Sequence, residues 1–412
     1  NWGTVTFRNN IFANNTAGAG GANCRNSSGT FNDGGGGLVW GDTSCPGINA
    51  DPKLGTLGDY GGSTETLPLL PGSAAIDAGN NSVCPEFDQR DESRVGVCDI
   101  GAFESQGFTL AITSGNDQTA PINTPFAAPL GLTVTANQSG EPVTGGQITF
   151  TAPGSGPSAV ISGSPATIGA GGTVSASATA NGIVGGPYNV TASAAGGATA
   201  VTFSLTNTKV DTAVTLTSSP NPSTYGQSVT FTADVSPAAT GIVAFQNNGA
   251  ALPGCEAQPI SGGQATCTTA VLPAGEYAQM TAVYSGDAIY NSSTSSNYTH
   301  TVNKAAATIA LGNLNQTYDG TPKAASAATT PAGLTVIITY TGSGGTIYGP
   351  STTAPTNAGT YEVDAAIDDA NYQGAASDTL TISRADTTTA LTSSPNPSTY
   401  GQSVTFTADV SP

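Results

Sequence analysis

Charge is what this 412-residue chain has least of: Asp, Glu, Lys and Arg make up 9% of it, against about 25% in an ordinary soluble domain. Nine Lys and Arg face 27 Asp and Glu, for a net charge of −18 and a pI near 4.1. Nucleic acid and anionic lipid both need clustered cations, so neither is expected as a partner. There is one histidine, His300, and one methionine. A single imidazole leaves no Ser-His-Asp or Cys-His relay and little for a zinc site. His300 itself reads as a solvent-facing strand residue. No GxSxG, P-loop or HExxH string occurs. Apolar runs are too short to cross a membrane, and no stretch sustains helical periodicity. The chain opens with NWGTVTFRNNIF, which reads as strand rather than signal peptide, so both of its ends are expected to be cuts in something longer.

What remains is a vocabulary of strands and turns. There are 54 Gly and 26 Pro, with Thr, Ser, Ala, Val and Asn filling most of the rest. β-Branched residues suit pleated surfaces, while Gly, Asn and Pro suit turns. GAGGA at Gly18–Ala22 and GGGG at Gly34–Gly37 lack the helix that a phosphate cradle needs and read as turns. Six cysteines fall into three local pairs: Cys24 with Cys45, Cys84 with Cys98, and Cys255 with Cys267. Cys255 and Cys267 are equidistant from Ser261 in a Ser-Gly-Gly turn, which places them as cross-strand partners of a hairpin. Three disulfides imply an oxidising, extracellular setting.

The longest feature is a repeat. LTSSPNPSTYGQSVTFTADVSP occupies Leu216–Pro237 and returns unchanged, 175 residues on, at Leu391–Pro412. An identity of that length marks a tandem array. From Gly107 onward, short alternating segments such as GLTVTAN, GGQITFTAP and TVSASATA are separated by Gly, Pro and Asn. Six or seven such strands per hundred residues is the pattern of an immunoglobulin-like sandwich. Gly-x-Tyr recurs at Tyr188, Tyr277 and Tyr361, once per unit, where a tyrosine corner would sit. Met280, Ala282 and Tyr284 are out of phase with Tyr277, which predicts a bulge between them. The joints at Lys209, Lys304 and Arg384 are short, so neighbouring sandwiches should abut as a semi-rigid rod.

Residues 1 to about 50 differ, with short apolar alternations broken by Asn pairs and glycines. That suits the coils of a right-handed parallel β-helix, where Asn side chains satisfy turn backbone. The following stretch carries Asp51-Pro52, Leu69-Leu70-Pro71-Gly72-Ser73, Ile76-Asp77-Ala78-Gly79, Asp88-Gln89-Arg90 and Asp99-Ile100-Gly101-Ala102-Phe103-Glu104. It resembles the C-terminal region of bacterial β-helix surface proteins of the choice-of-anchor type. STYGQSVTFTADVSP, CTTAVLPAGEY and AVYSGDAIYNSSTS resemble the tandem bacterial Ig-like repeat. NLNQTYDGTPKAAS, APTNAGTYEVDAAIDDANYQG and LTISRA resemble the MBG family. These resemblances imply extracellular display in a stalk or adhesin and no catalytic residues.

Four groups of residues are candidates for chemistry. FDQRDESR offers Asp88, Arg90, Asp91, Glu92 and Arg94 as lyase or hydrolase candidates, set against a solvated loop or an Asp-Arg pair fixing the end cap. Asp368-Asp369 with Asn371, and Asp287, sit in loops where calcium would bind between sandwiches. Lys53, Lys209, Lys304 and Lys323 are the only amines for an isopeptide cross-link. Trp2, Trp40 and Tyr60 are the aromatics able to stack on a sugar, and sequons such as Asn14, Asn137, Asn291 and Asn315 follow from composition. The expectation is an all-β, non-enzymatic, extracellular bacterial surface or filament protein without a cofactor. Its segments are 1–105 (β-helix end and disulfide-stapled cap), 106–208, 209–303 and 304–384 (sandwiches) and 385–412 (an incomplete unit). Its partners would be copies of itself, other surface proteins, or extracellular polysaccharide.

Overall fold

A computed structural model describes residues 3–16, 23–25, 28–197 and 199–411. Trp2, the Gly18–Ala22 run and Pro412 lie outside the described residues. Helix is confined, among the described residues, to two single 3₁₀ turns, Asn81–Val83 and Ala170–Gly172. The chain divides into two compact units, Asn1–Asp211 with Ala288–Asn291, and Thr212–Asp287 with Ser292–Pro412.

The first unit begins with parallel strands. Thr4–Phe7 pairs with Thr30–Asp33, and Ile11–Ala13 pairs with Leu38–Trp40, which in turn pairs with Ile48–Asn49. Parallel neighbours need long connections, and the Asn- and Gly-rich segments between these strands supply them. Asn9 fixes the turn that follows: its Oδ1 accepts from the Asn80 N–H at 2.7 Å and its Nδ2 donates to the Asn80 carbonyl at 3.2 Å. Residues 51–105 form no extended strand, only bridges such as Leu54 to Leu69 and Gly58 to Thr66. They close over a small core of Leu38, Leu69, Ala75, Ile76, Ile100 and Phe103.

The cap is seated on a two-layer sandwich. One layer has four strands in the order Ala159–Ser162, Thr173–Ala180, Leu130–Ala136, Phe108–Ser114. The other has five: Ala166–Thr167, Gln147–Thr151, Gly185–Ser193, Val201–Thr208 and Gln118–Pro121, the last pair parallel. Burial alternates along these strands as a sheet with one solvated face requires. Leu130, Leu132, Ile148, Val190, Phe203 and Leu205 meet between the layers.

The second unit holds a sandwich of three strands (Ala213–Ser219, Val229–Ser236, Gln264–Thr269) against a sheet built on Gly275–Tyr284, Tyr298–Asn303 and Ile242–Asn247. A second domain follows, in which Asn315–Thr317, Ala375–Ser383, Gly359–Ile367 and Val336–Ser343 form one sheet and Thr308–Gly312 pairs with Ser326–Thr330. A lone hairpin, Thr388–Ser394 with Thr405–Ser411, ends the described chain.

The tyrosine landmarks act as ties. The hydroxyls of Tyr277 and Tyr361 donate to the carbonyls of Pro273 and Asn357, four residues upstream, at 2.9 and 2.7 Å. Tyr188 instead donates to the Asn207 side chain at 2.8 Å. The strand carrying Tyr277 shifts register between Tyr277 and Met280, which turns Met280, Ala282 and Tyr284 inward. His300 is a correction. It is fully buried, edge-on to Phe231 at 5.3 Å, with Nδ1 2.9 Å from Ser218 Oγ and Nε2 3.0 Å from Ser223 Oγ. An exposed-looking position in a polar sequence proved to be a buried tie because two serines satisfy both ring nitrogens.

Candidate functional site

The densest polar chemistry lies where the cap meets the first sandwich. Asp88 and Arg90 occupy a tight turn in which the Asp88 carboxylate accepts from the backbone N–H groups of Arg90 (2.7 Å), Glu92 (3.2 Å) and Glu104 (2.9 Å). The Arg90 side chain is 1% exposed and its guanidinium pairs with Asp88 at 2.9 Å and with Glu141 of the sandwich at 3.1 Å. It also donates to the Glu104 carbonyl and lies over the Phe103 ring, 3.6 Å from its centroid. Arg94 donates to Glu104 Oε2 at 2.8 Å and to the carbonyls of Asp99 and Gly101. Four carboxylates (Asp88, Asp99, Glu104, Glu141) therefore surround two guanidiniums.

That imbalance has an electrostatic consequence. Asp99 accepts from the N–H groups of Asp77 and Ser105 at 2.7 Å each. Burial nevertheless pushes its carboxyl up to about 7, outweighing those donors, with the Glu104 and Asp77 charges adding to the rise. Burial also raises Glu141, against the pull of the Gln106 N–H and of Arg90.

The arrangement is a clamp. A lyase or hydrolase needs its base and its cation turned toward substrate, whereas the Asp88 and Arg90 side chains are enclosed and bonded to each other and to the sandwich. Of the two weighed structural readings, the Asp-Arg pair that fixes the cap describes this geometry and a solvated loop does not. Asp91 is exposed, and Glu92 accepts from Gln138 at 3.3 Å.

The disulfides tie the same region. Cys24 is bonded to Cys45, and Cys84 to Cys98. In the second unit Cys255 is bonded to Cys267, though not as rungs of one hairpin. Cys267 lies in the three-stranded sheet, while the Cys255 carbonyl accepts from Phe245 of the opposite sheet. The bond therefore joins the two layers of the sandwich, which strand alternation alone did not reveal.

Trp40 is 39% exposed at the end of its short strand. Tyr60 is half-buried, edge-on to Phe103 at 6.1 Å, with its hydroxyl donating to the Thr56 carbonyl. Its ring serves the core rather than a sugar face. The calcium candidates are also engaged. Asp369 accepts from the N–H groups of Asn371 and Tyr372, and Asp287 accepts from the Thr240 hydroxyl at 2.6 Å. Among the described residues, no group of three His, Cys, Asp or Glu side chains is placed to hold a metal ion. Three of the lysines point to oxygen: Lys53 to Asp51, Lys304 to the Asp369 carbonyl, and Lys323 to Asp319.

Residues 216–303 match the family described as bacterial Ig-like domain (group 3), and residues 307–386 match the MBG domain family. Similar solved structures include FdeC, described as a broadly conserved Escherichia coli adhesin. It is 17% identical over 67% of this chain and 96% of that one, with a TM-score of 0.22. The full ectodomain of mouse nectin-like molecule 4 is 12% identical over 66% of this chain and 98% of that one, with a TM-score of 0.28. No curated protein matches the chain.

Proposed function

We propose that this chain is part of an extracellular bacterial surface or filament protein, a semi-rigid rod of tandem β-domains used for display, adhesion or fibre assembly. The observation that carries the proposal is the bracing of successive domains inside each unit. In the first unit Arg90 bonds the cap to Glu141 of the sandwich, and the Gln147 N–H donates to the Pro71 carbonyl at 2.8 Å. In the second, the Asn371 side chain accepts from the Ala274 N–H at 2.9 Å, and the rings of Tyr225 and Tyr372 meet edge-on at 5.4 Å. A flexible linker forms no such contacts, and a braced joint transmits force and sets reach. The matches to the bacterial Ig-like and MBG families support a structural rather than a catalytic role.

On this reading the parallel strands of residues 4–49 are the end of a right-handed β-helix capped by residues 51–105. The remaining segments are 106–208, 209–303, 304–384 and 385–412. Copies of the protein or other surface proteins are the proposed partners. Small-angle scattering of the monomer tests the rod: a pair-distance distribution with a long tail supports it, and a symmetric, globular one sinks it.

A further inference from the structure

A groove runs through the first unit and borders the clamp, since Asp88 and Arg94 line its smaller part. It consists of two clefts of about 600 and 440 Å³ that share Asn9, Gln89, Gly101 and Ala102 along their common wall. Openings of this size accept drug-sized to oligomeric ligands. Neither Trp40 nor Tyr60 lines either cleft.

The larger cleft is rich in hydrogen-bond acceptors. The Nδ2 groups of Asn10 and Asn15 donate to the Arg8 carbonyl and to Asn23, and Gln89 Nε2 donates to Thr64. Their side-chain carbonyl oxygens accept from no described residue, and the exposed Glu65 carboxylate is unpaired as well. Thr66 lines the same cleft and is 3% exposed. Beside these acceptors, Leu57 and Leu67 stand 61% and 43% exposed. The smaller cleft carries Phe87, 47% exposed, which presents a flat apolar face.

Acceptors alternating with exposed apolar faces match a donor-rich ligand that also has apolar C–H faces. Sugars have both properties. A bare cation would satisfy the oxygens but would leave Leu57, Leu67 and Phe87 unexplained. The chain's −18 charge disfavours an acidic polymer, and within the groove the exposed Arg8 offsets Glu65. We infer that this groove binds a neutral oligosaccharide, with Glu65 and Gln89 accepting from its hydroxyls and Leu67 and Phe87 packing on its rings.

The test uses the whole chain, titrated calorimetrically with cello-, xylo-, manno-, laminari- and chito-hexaose, each with and without EDTA. At least one should bind with a Kd between about a micromolar and a millimolar, the range for few-contact ligands. Glu65→Gln, Gln89→Ala and Leu67→Ser should each weaken that binding by about tenfold, or ~1.4 kcal/mol, while Trp40→Ala leaves it unchanged. All three altered side chains are exposed, so unchanged thermal melting will show that the fold is intact. Three results would overturn the inference: no binding by any hexaose at millimolar concentration, binding indifferent to all three substitutions, or loss of binding with Trp40→Ala. Tight binding of calcium alone, abolished by Glu65→Gln with no sugar bound, would make the groove a cation site instead.

Discussion

Arg90 shows what one residue decides in a chain so poor in charge. Its guanidinium is enclosed among Asp88, Glu141, the Glu104 carbonyl and the Phe103 ring. Removing one partner from such a cluster leaves the others buried and unpaired, at a cost of about 3–5 kcal/mol. Arg90→Ala should lower the stability of the first unit by that amount. Both tryptophans, Trp2 and Trp40, belong to that unit, so their fluorescence during denaturation reports it. An Arg90→Ala protein that melts like the parent would refute the clamp. Asp99 adds a pH dependence of defined sign. Its folded carboxyl holds a proton up to about 7, whereas unfolded it releases the proton near 3.8. Stability from this group is therefore complete below about 3.8 and declines as pH rises through 7. His300 runs the other way. Burial lowers its affinity for a proton, so its contribution is complete above 6.5 and falls as the solution is acidified below that value. As the only histidine it gives a single set of imidazole resonances, and its NMR titration midpoint should lie below 6.5.

At the scale of elements, one comparison separates local from tertiary causes. Leu216–Pro237 and Leu391–Pro412 share every residue. Both copies form the same hairpin in the same register: Ala213 opposes Ser236 in the first, and Thr388 opposes Ser411 in the second. In the first copy Leu216, Phe231 and Val235 are 7%, 0% and 4% exposed, whereas Leu391, Phe406 and Val410 are 67%, 69% and 63% exposed. The first copy is covered by the opposite sheet, with Phe245 and Tyr284, and has the Gln264–Thr269 strand alongside. Phe231→Ala should therefore cost about 3–5 kcal/mol. A Phe231→Ala protein that unfolds like the parent in chemical denaturation would contradict that burial.

For the whole molecule, the weak point is the part without extended strands. Residues 51–105 rest on a six-residue core, the Arg90 and Arg94 ion pairs and the Cys84–Cys98 bond, while the sandwiches have continuous ladders. A bridge closing a loop of this size stabilises by about 3 kcal/mol. Under mild reductant, limited proteolysis should therefore cut first within 51–105 and leave 108–208 protected. First cleavage inside the Leu130–Ala136 or Val201–Thr208 strands would refute this order of stability.

Much of the fold was legible because strand alternation, turn residues and cysteine spacing are local signals. Val190 with Ala192, and Val363 with Ala365, announce their inward faces by period alone. The bulge after Tyr277 was legible as a break in that period. The candidate site was much less so. Asp88 and Arg90 read either as a solvated loop or as an Asp-Arg pair fixing the end cap, and packing against Glu141, 51 positions away, decides for the pair. The groove acceptors Asn10, Glu65 and Gln89 are scattered along the chain, so no motif gathers them. A signal was present only in the unpaired hydrophobes Leu57 and Leu67 within a polar stretch.

What the sequence determined by itself was what depends on neighbours along the chain: an all-β chain, the alternating faces of its strands, the tyrosine ties in the second unit, and which cysteines are near each other. What only the tertiary structure decided was burial. His300 is enclosed because Ser218 and Ser223 meet it from a distant hairpin, and Cys255 joins sheets rather than adjacent strands. The physical reason is common to both: backbone pairing is fixed by short-range geometry, whereas removal from water depends on what the rest of the chain places opposite.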